Sequence, residues 1–502
     1  MKSSEHRAVG EAATAGALVD VGGDCAEQRC VLGYGDVVAL SGDFFAGPYP
    51  SNDLFRLAAI PGERGTKLGT RDEIVCALKV MAVDGGVVDP RFEPGGQFSD
   101  YQFTAAAAAT EVERRVRDRF LTLATANGDH FVAPGRLGTA ADRNGPKSPR
   151  FDSAGAAYRH LHEVALDEAC RLGRCGGDES RAMAREAAAQ HYLTDAFAAG
   201  HLRTPVTAIR GFWHHRYPQF WQSLQRKVAT DTVAALRELT RPARMLPDGF
   251  VYDRVHAAVQ ARTRGFPPIT FGDLLARVFH DWDNSHGLTL EGGGVLFGDG
   301  LLEQGVGKDL VVAAVRAGID DVEVAYRLGA SGSRLQGDAL YQAVRSATAA
   351  PDVAFRPETR IPILSADNPP QNWRATDAEA LWSSPVVGTT GTTVGLAVEE
   401  TLHLGAEVSR RLDRLGPGVF EVPGLLKVPA LRRWAVSKGR QAYYQGFVQG
   451  LAQDPKATVL AIVDNEAAGN TGANYGATAA ETADVRRCRR QPRRGESGPD
   501  PA

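Results

Sequence analysis

Between Gln190 and His201 the chain reads QHYLTDAFAAGH, the end of an alanine-rich run with strong helical bias, and carries three metal-competent side chains, His191, Asp195 and His201. His191 and Asp195 are four positions apart, so on an α-helix they leave adjacent turns of one face and can close on the same ion. His201 follows six positions later, about 240° further round a helix of 3.6 residues per turn. It therefore suits an adjacent second ion, or a position just past a helix that loosens at Gly200. Imidazole together with carboxylate favours zinc or another borderline divalent ion over calcium.

The surrounding sequence supplies what such a helix needs around it. From Phe103 to about Leu239 apolar residues recur at three- and four-residue spacing in Ala-rich sequence, and Tyr158 to Leu172 and Ser180 to Gln190 read as helices. Asn127-Gly128-Asp129-His130-Phe131 lies on the loop after the first long helix of this stretch. Helical bundles build interior metal sites in this way, from side chains on facing helices and the loops between them. The expected fold is mainly α, a multi-helix bundle with an interior metal site, and a loop-rich N-terminal region. Residues 1–100, punctuated by Gly and Pro around a helical piece near Thr70 to Val83, pack on the bundle; residues 101–350 form the metal-site domain. Within it, Lys308 to Arg316 and Asp320 to Leu328 read as two short helices. Residues 351–460 form a C-terminal helical region after a Pro-rich join, and the basic, Gly- and Pro-containing stretch at 461–502 reads as a disordered tail.

HYLTDAFAAGHLRTP resembles the signature of the zinc-dependent phospholipase C/P1 nuclease superfamily, whose helix carries His-x3-Asp and a further His six residues on, around a trinuclear zinc site. The NGDHF segment resembles the same superfamily's loop in which a His followed by an aromatic is a ligand. The resemblance covers roughly residues 100 to 240. It implies that His130, His191 and Asp195 are ligands, that Asp195 bridges two ions, and that His201 binds the neighbouring one. It also implies a His-x3-Glu pair, for which His215 stands at about the right place, but Pro218 and Gln219 occupy the positions four residues after His214 and His215. The superfamily's N-terminal Trp, whose amino group is a ligand, has no counterpart here. Two or three zinc ions are implied, with the third rebuilt from elsewhere if present.

Two segments could rebuild it. Phe279-His280-Asp281-Trp282-Asp283-Asn284-Ser285-His286-Gly287 packs two His and two Asp into seven positions of a chain with 12 His, and His280 and Asp283 are candidate ligands; the alternative is a polar, turn-forming loop. Consecutive His-Asp also begins the site of HD phosphohydrolases, but no further His and Asp set supports that family. In GDVVALSGDFF, Asp36 and Asp43 sit at element ends where carboxylates can reach a site. Asp43 and Asp129 are candidate bases or further ligands. His160 and His162, two apart on a helix, cannot both point inward. Arg203 is a candidate phosphate contact, with a helix-dipole role as the alternative. Trp213 and Tyr217, among Phe212, Phe220 and Trp221, are candidates for an aromatic mouth that receives a lipid or stacks a base, or else pack a core.

Composition limits the functional classes. With 57 basic against 60 acidic residues the formal charge is −3, so no global field draws the chain to nucleic acid or to an anionic membrane. Six Cys fall into no CxxC pattern. Residues 305–309, GVGKD, fail as a phosphate loop, since Leu302 and Asp309 stand where Gly and Ser/Thr are needed. No apolar run approaches the ~20 residues of a membrane span, and the N-terminus has no apolar core of a Sec signal. The expected location is cytoplasmic, or outside by a non-Sec route. The expected activity is metal-dependent phosphodiester hydrolysis, with zinc activating water as hydroxide. A phospholipid or small phosphodiester is the expected substrate, and P1-type cleavage of nucleic acid the alternative. A non-catalytic helical binding protein that keeps the fold is the alternative of another class.

Overall fold

The computed structural model describes residues 1, 3–21, 31–45, 127–132, 151–263, 270–298, 300–348 and 360–368, with a few positions between 73 and 123 and between 438 and 462. These residues are mostly helical. The elements are α1 Ser3–Thr14, β1 Leu18–Asp20, β2 Val31–Gly33, α2 Tyr34–Leu40, a 3-10 turn Asn127–His130, α3 Ala154–Cys175, α4 Ser180–Asp195, α5 Ala199–Arg203, α6 Val206–Arg216, α7 Phe220–Leu239, α8 Arg241–Met245, α9 Asp248–Thr263, α10 Phe271–His286, β3 Leu288–Thr289, β4 Val295–Leu296, α11 Gly307–Ala330, α12 Gly337–Ala347 and a π-helical turn Tyr444–Val448. Among the described residues the strands form two antiparallel pairs, β1 with β2 and β3 with β4.

The chain divides into two units, Met1–Phe212 with Gly272–Glu400, and Trp213–Phe271 with Thr401–Ala502. This division differs from the linear one expected, because the N-terminal segment is integral to the first unit: α1 packs on α2 and α11, and α2 packs on α4. The region expected to be loop-rich thus supplies two helices. The C-terminal helical region and the tail fall almost wholly outside the described residues.

Helix α4 is the axis of the first unit. Every residue from Ala184 to Asp195 is buried, the state of a helix covered on all sides. Its alanines make this feasible: Ala184, Ala187, Ala188 and Ala189 have no solvent exposure and let α2, α3 and α11 approach the backbone closely. Helix α3 is well delimited. Ser153 caps it by accepting from the Ala156 N–H at 3.2 Å, a contribution of about 1 kcal/mol. Gly176, with φ of 63°, ends it, and the Gly177 N–H donates to the Leu172 carbonyl at 2.9 Å.

Two local readings of the sequence are corrected here. Residues 307–330 form one helix rather than two, since Gly318 in its middle is buried against α4 instead of opening a turn. The HDWDNSH segment is the C-terminal part of α10 rather than a loop, and Gly287, with φ of 77°, follows its end. No helix among the described residues is long and apolar enough to cross a membrane.

The second unit is held by apolar contacts among Val233 and Leu236 of α7, Ala243 of α8, Val251 and Val255 of α9, and Ala442. Trp213, Tyr217 and Phe271 pack ring against ring, with Trp213 and Tyr217 stacked at 5.9 Å between centroids.

Candidate metal centre

The centre is built around one carboxylate. Asp195, the last residue of α4, is 1% exposed, and its two oxygens face two different sets of groups. Oδ2 lies 2.7 Å from His130 Nδ1 and 3.5 Å from His191 Nε2. Oδ1 lies 3.3 Å from His6 Nε2, 3.2 Å from His201 Nδ1 and 3.0 Å from the Met1 amino group. Burial by itself would raise the Asp195 pKa. The groups around it, the Met1 amino group first and then the imidazoles of His201, His191 and His6, outweigh it and hold the carboxyl well below its usual range. Asp195 is therefore ionised and only accepts hydrogen bonds.

Tautomers follow from the partners. The Val38 carbonyl can only accept, so His191 Nδ1 carries the proton at 2.9 Å and Nε2 keeps its lone pair toward His130 and Asp195. Burial, reinforced by the neighbouring His6, pushes the His191 pKa well down, which keeps that lone pair available. The Thr194 hydroxyl has one hydrogen and donates it within its own helix, to the Gln190 carbonyl at 2.7 Å. It must then accept from His6 Nδ1 at 2.6 Å, and this holds His6 Nε2 toward Asp195 Oδ1 at 3.3 Å. His201 Nδ1 faces two acceptors, Asp195 Oδ1 and the His130 carbonyl, the latter also at 3.2 Å, so its proton lies there and Nε2 turns to the Met1 amine at 3.3 Å.

These donors could hold a divalent ion. His130 Nδ1, His191 Nε2 and Asp195 Oδ2 are one group within 4.8 Å of one another, and His6, Asp43 and His191 are another. Zn–N and Zn–O bonds of about 2.0–2.2 Å in a tetrahedral site set ligand-to-ligand separations of roughly 3.3–3.6 Å. The first group's separations run from 2.7 to 3.5 Å. The shortest is a hydrogen bond in which His130 donates from the nitrogen that would bind the ion. Burial lowers the His130 pKa, but Asp195 and then Asp129 outweigh it and raise it overall, so an ion entering here displaces a held proton.

The backbone makes room for this packing at Gly42. Its φ of 85° is left-handed, and a Cβ there would collide with the rings of both His191 and His130. Asp43 follows, its Oδ1 3.9 Å from His191 Nε2, while Ser3 Oγ donates to its Oδ2 at 2.5 Å. Burial raises the Asp43 pKa, opposed by His6 and reinforced by Asp195. Asp129 is 6% exposed and 3.9 Å from His130 Nε2, on the far edge of that ring from Asp195.

His130, His191, Asp195, His201, Asp43 and Asp129 are thus brought together. Other candidates are placed differently. Asp283 is 1% exposed, and both its oxygens accept from Arg203, so this carboxylate is the counter-ion of a buried guanidinium. Arg203 is itself 4% exposed and held in that pair, which corrects its expected role as a phosphate contact. His280 belongs to neither donor group; its ring lies 4.8 Å from that of His201, and the Asn284 amide is 3.2 Å from its Nε2. Asn284 Oδ1 accepts from the Gly200 N–H at 2.6 Å, so this face of α10 anchors the first turn of α5, which carries His201. Trp213 and Tyr217 are 2% and 6% exposed in their aromatic cluster, so they pack a core rather than form a mouth. His215 is exposed on α6 and belongs to neither group.

The reading of the sequence missed His6. Its signal was present: in SSEHRAVGEAAT, His6, Val9 and Gly10 share one helical face, and all three are buried. The start of the chain was also read as lacking a counterpart to a terminal amine, yet the Met1 amino group reaches Asp195.

No protein-family model, curated protein or solved structure matches this chain.

Proposed function

We propose that the chain is a zinc-dependent phosphodiester hydrolase of the kind its ligand helix resembles, the zinc-dependent phospholipase C/P1 nuclease superfamily. One observation carries the reading: a fully buried, ionised Asp195 has histidine nitrogens against each of its oxygens, with His130 and His191 at Oδ2 and His6 at Oδ1. Buried charge is costly unless paired, and a cluster of imidazoles around one carboxylate suits a divalent cation better than it suits an empty core. His130, His191 and Asp195 would hold one ion. His6, with Asp195 through its other oxygen, would hold the second, and Asp43 stands close to both through His191 and Ser3.

Paired zinc ions, when bound, lower the pKa of a water and neutralise phosphate oxygens, the chemistry that hydrolysis of a phosphodiester requires. The protein's part is to fix the donors. The Val38 carbonyl sets the tautomer of His191, the Thr194 hydroxyl holds His6 by its Nδ1, and Asp129 places a carboxylate beyond the outer edge of His130. Asp43, whose pKa is raised by burial, is the group best suited to exchange a proton beside the ions.

The test is hydrolysis of bis-p-nitrophenyl phosphate, short-chain phosphatidylcholine and single-stranded DNA by zinc-loaded protein. The small diesters or the lipid should be cleaved, and His191→Ala and Asp195→Ala should each abolish turnover with far-UV helicity retained. Salt-sensitive cleavage of DNA alone would assign a nuclease. Activity retained in both variants would overturn the site.

A further inference from the structure

Behind the ligand helix runs a second buried polar chain that none of the steps above uses. Glu186 of α4 has no solvent exposure, and its Oε2 lies 2.6 Å from His162 Nδ1 of α3. His162 Nε2 in turn lies 3.3 Å from Asp321 Oδ2 of α11. Both ring nitrogens thus face carboxylates, which only accept, so the ring carries both protons and is an imidazolium. Arg360 completes the charge balance, donating to Asp321 at 2.5 Å from a backbone held at φ of 56°. The far end of the chain meets the ligands. Gln190 Nε2 donates to Glu186 Oε1 at 3.0 Å and to the Val315 carbonyl at 2.9 Å, which turns its Oε1 toward Tyr34, whose hydroxyl donates at 2.8 Å.

Gln190 precedes His191, and Tyr34 lies one turn before Val38 on α2. The Tyr34–Gln190 bond therefore clamps α2 onto α4 beside the Val38–His191 bond, and α2 leads directly into Gly42 and Asp43. We propose that Tyr34, Gln190, Glu186 and His162 are positioning residues for the metal centre, a relay that fixes α2 against α4 so that Val38, Gly42 and Asp43 meet His191 in register. Gly318 shows how tightly the relay is enclosed: a Cβ there would fall between Glu186 Oε1, Gln190 Nε2 and the Tyr158 hydroxyl.

The inference rests on the zinc reading, and its test separates the two. Zinc affinity of the full chain is measured by competition with a chromophoric chelator for wild type, Tyr34→Phe, Glu186→Gln and the double variant, alongside thermal unfolding of the metal-free forms. Outer-shell partners of metal ligands typically carry about 10- to 100-fold in affinity. Each single variant should weaken zinc binding by about 10-fold, and the double variant by little more than the worse single, since both act through Gln190. Tyr34→Phe removes one hydroxyl and keeps the ring, so it stays informative if Glu186→Gln fails to fold. Zinc affinity within two-fold of wild type in Tyr34→Phe, even with a lowered melting temperature, would reduce the relay to a structural role and overturn the proposal. A wild-type chain that binds no zinc would remove the metal reading, and this inference with it.

Discussion

His162 makes the first unit sensitive to alkali. Burial lowers its pKa, but Glu186 and Asp321 outweigh that and raise it from 6.5 to about 9. The charged groups around it are those two carboxylates and, through Asp321, Arg360 and Arg345; Tyr158 stacks on its ring, and Tyr341 lies edge-on. A pKa raised on folding contributes stability that is fully present below the unfolded value, near 6.5, and is lost as pH rises through about 9. With 1.36 kcal/mol per unit, linkage gives roughly 2.5 kcal/mol at pH 7 and under about 0.5 kcal/mol at pH 9. Equilibrium urea unfolding of the chelator-treated protein between pH 6 and 10 measures it. Wild type should lose most of that stability between pH 7 and 9. His162→Gln, which cannot carry the proton, should be destabilised by a similar amount at pH 7, with the gap closing toward pH 10. A gap that stays constant across the range would refute the imidazolium and the linkage built on it.

Gly42→Ala should lower zinc content and melting temperature together, because the left-handed backbone and the His191 and His130 rings leave no room for a methyl group; elemental analysis and calorimetry check this. Asp283→Asn strips the counter-ion from buried Arg203 and should cost about 3–5 kcal/mol in urea unfolding, since an unpaired buried charge remains. A change below about 1 kcal/mol would mean that the pair is relaxed by solvent.

How much of this was legible depended on distance along the chain. The pairing of His191 with Asp195 was readable, because four-residue spacing fixes a shared face whatever surrounds the helix. The mainly helical character of residues 151–239 followed from periodicity in the same way. His6 was not read as a ligand, since nothing local says that a helix near the start lies against α4, and that contact is made by tertiary packing. The HDWDNSH segment misled because six polar residues in seven look like a loop, whereas α10 turns Asp283 onto Arg203 and Asn284 onto the Gly200 N–H, partners 80 and 84 positions away. The aromatic run after the signature was ambiguous for a related reason: Trp213 and Tyr217 show the same sequence whether they line a mouth or fill a core, and their burial assigns them to the core. Lys308 to Arg316 and Asp320 to Leu328 read as two helices and are one, with Gly318 between them a point of close approach to Glu186 on another helix.

The central claim is that Asp195 and the histidines around it are a metal centre, and metal content tests it most directly. Full-length protein purified without chelator, equilibrated with zinc and desalted, is assayed for zinc per chain beside Asp195→Ala and His6→Ala. The account predicts close to two zinc ions per chain in wild type, loss of both in Asp195→Ala because the carboxylate serves both ions, and loss of about one in His6→Ala. Less than one zinc per wild-type chain, or unchanged content in Asp195→Ala, would contradict it.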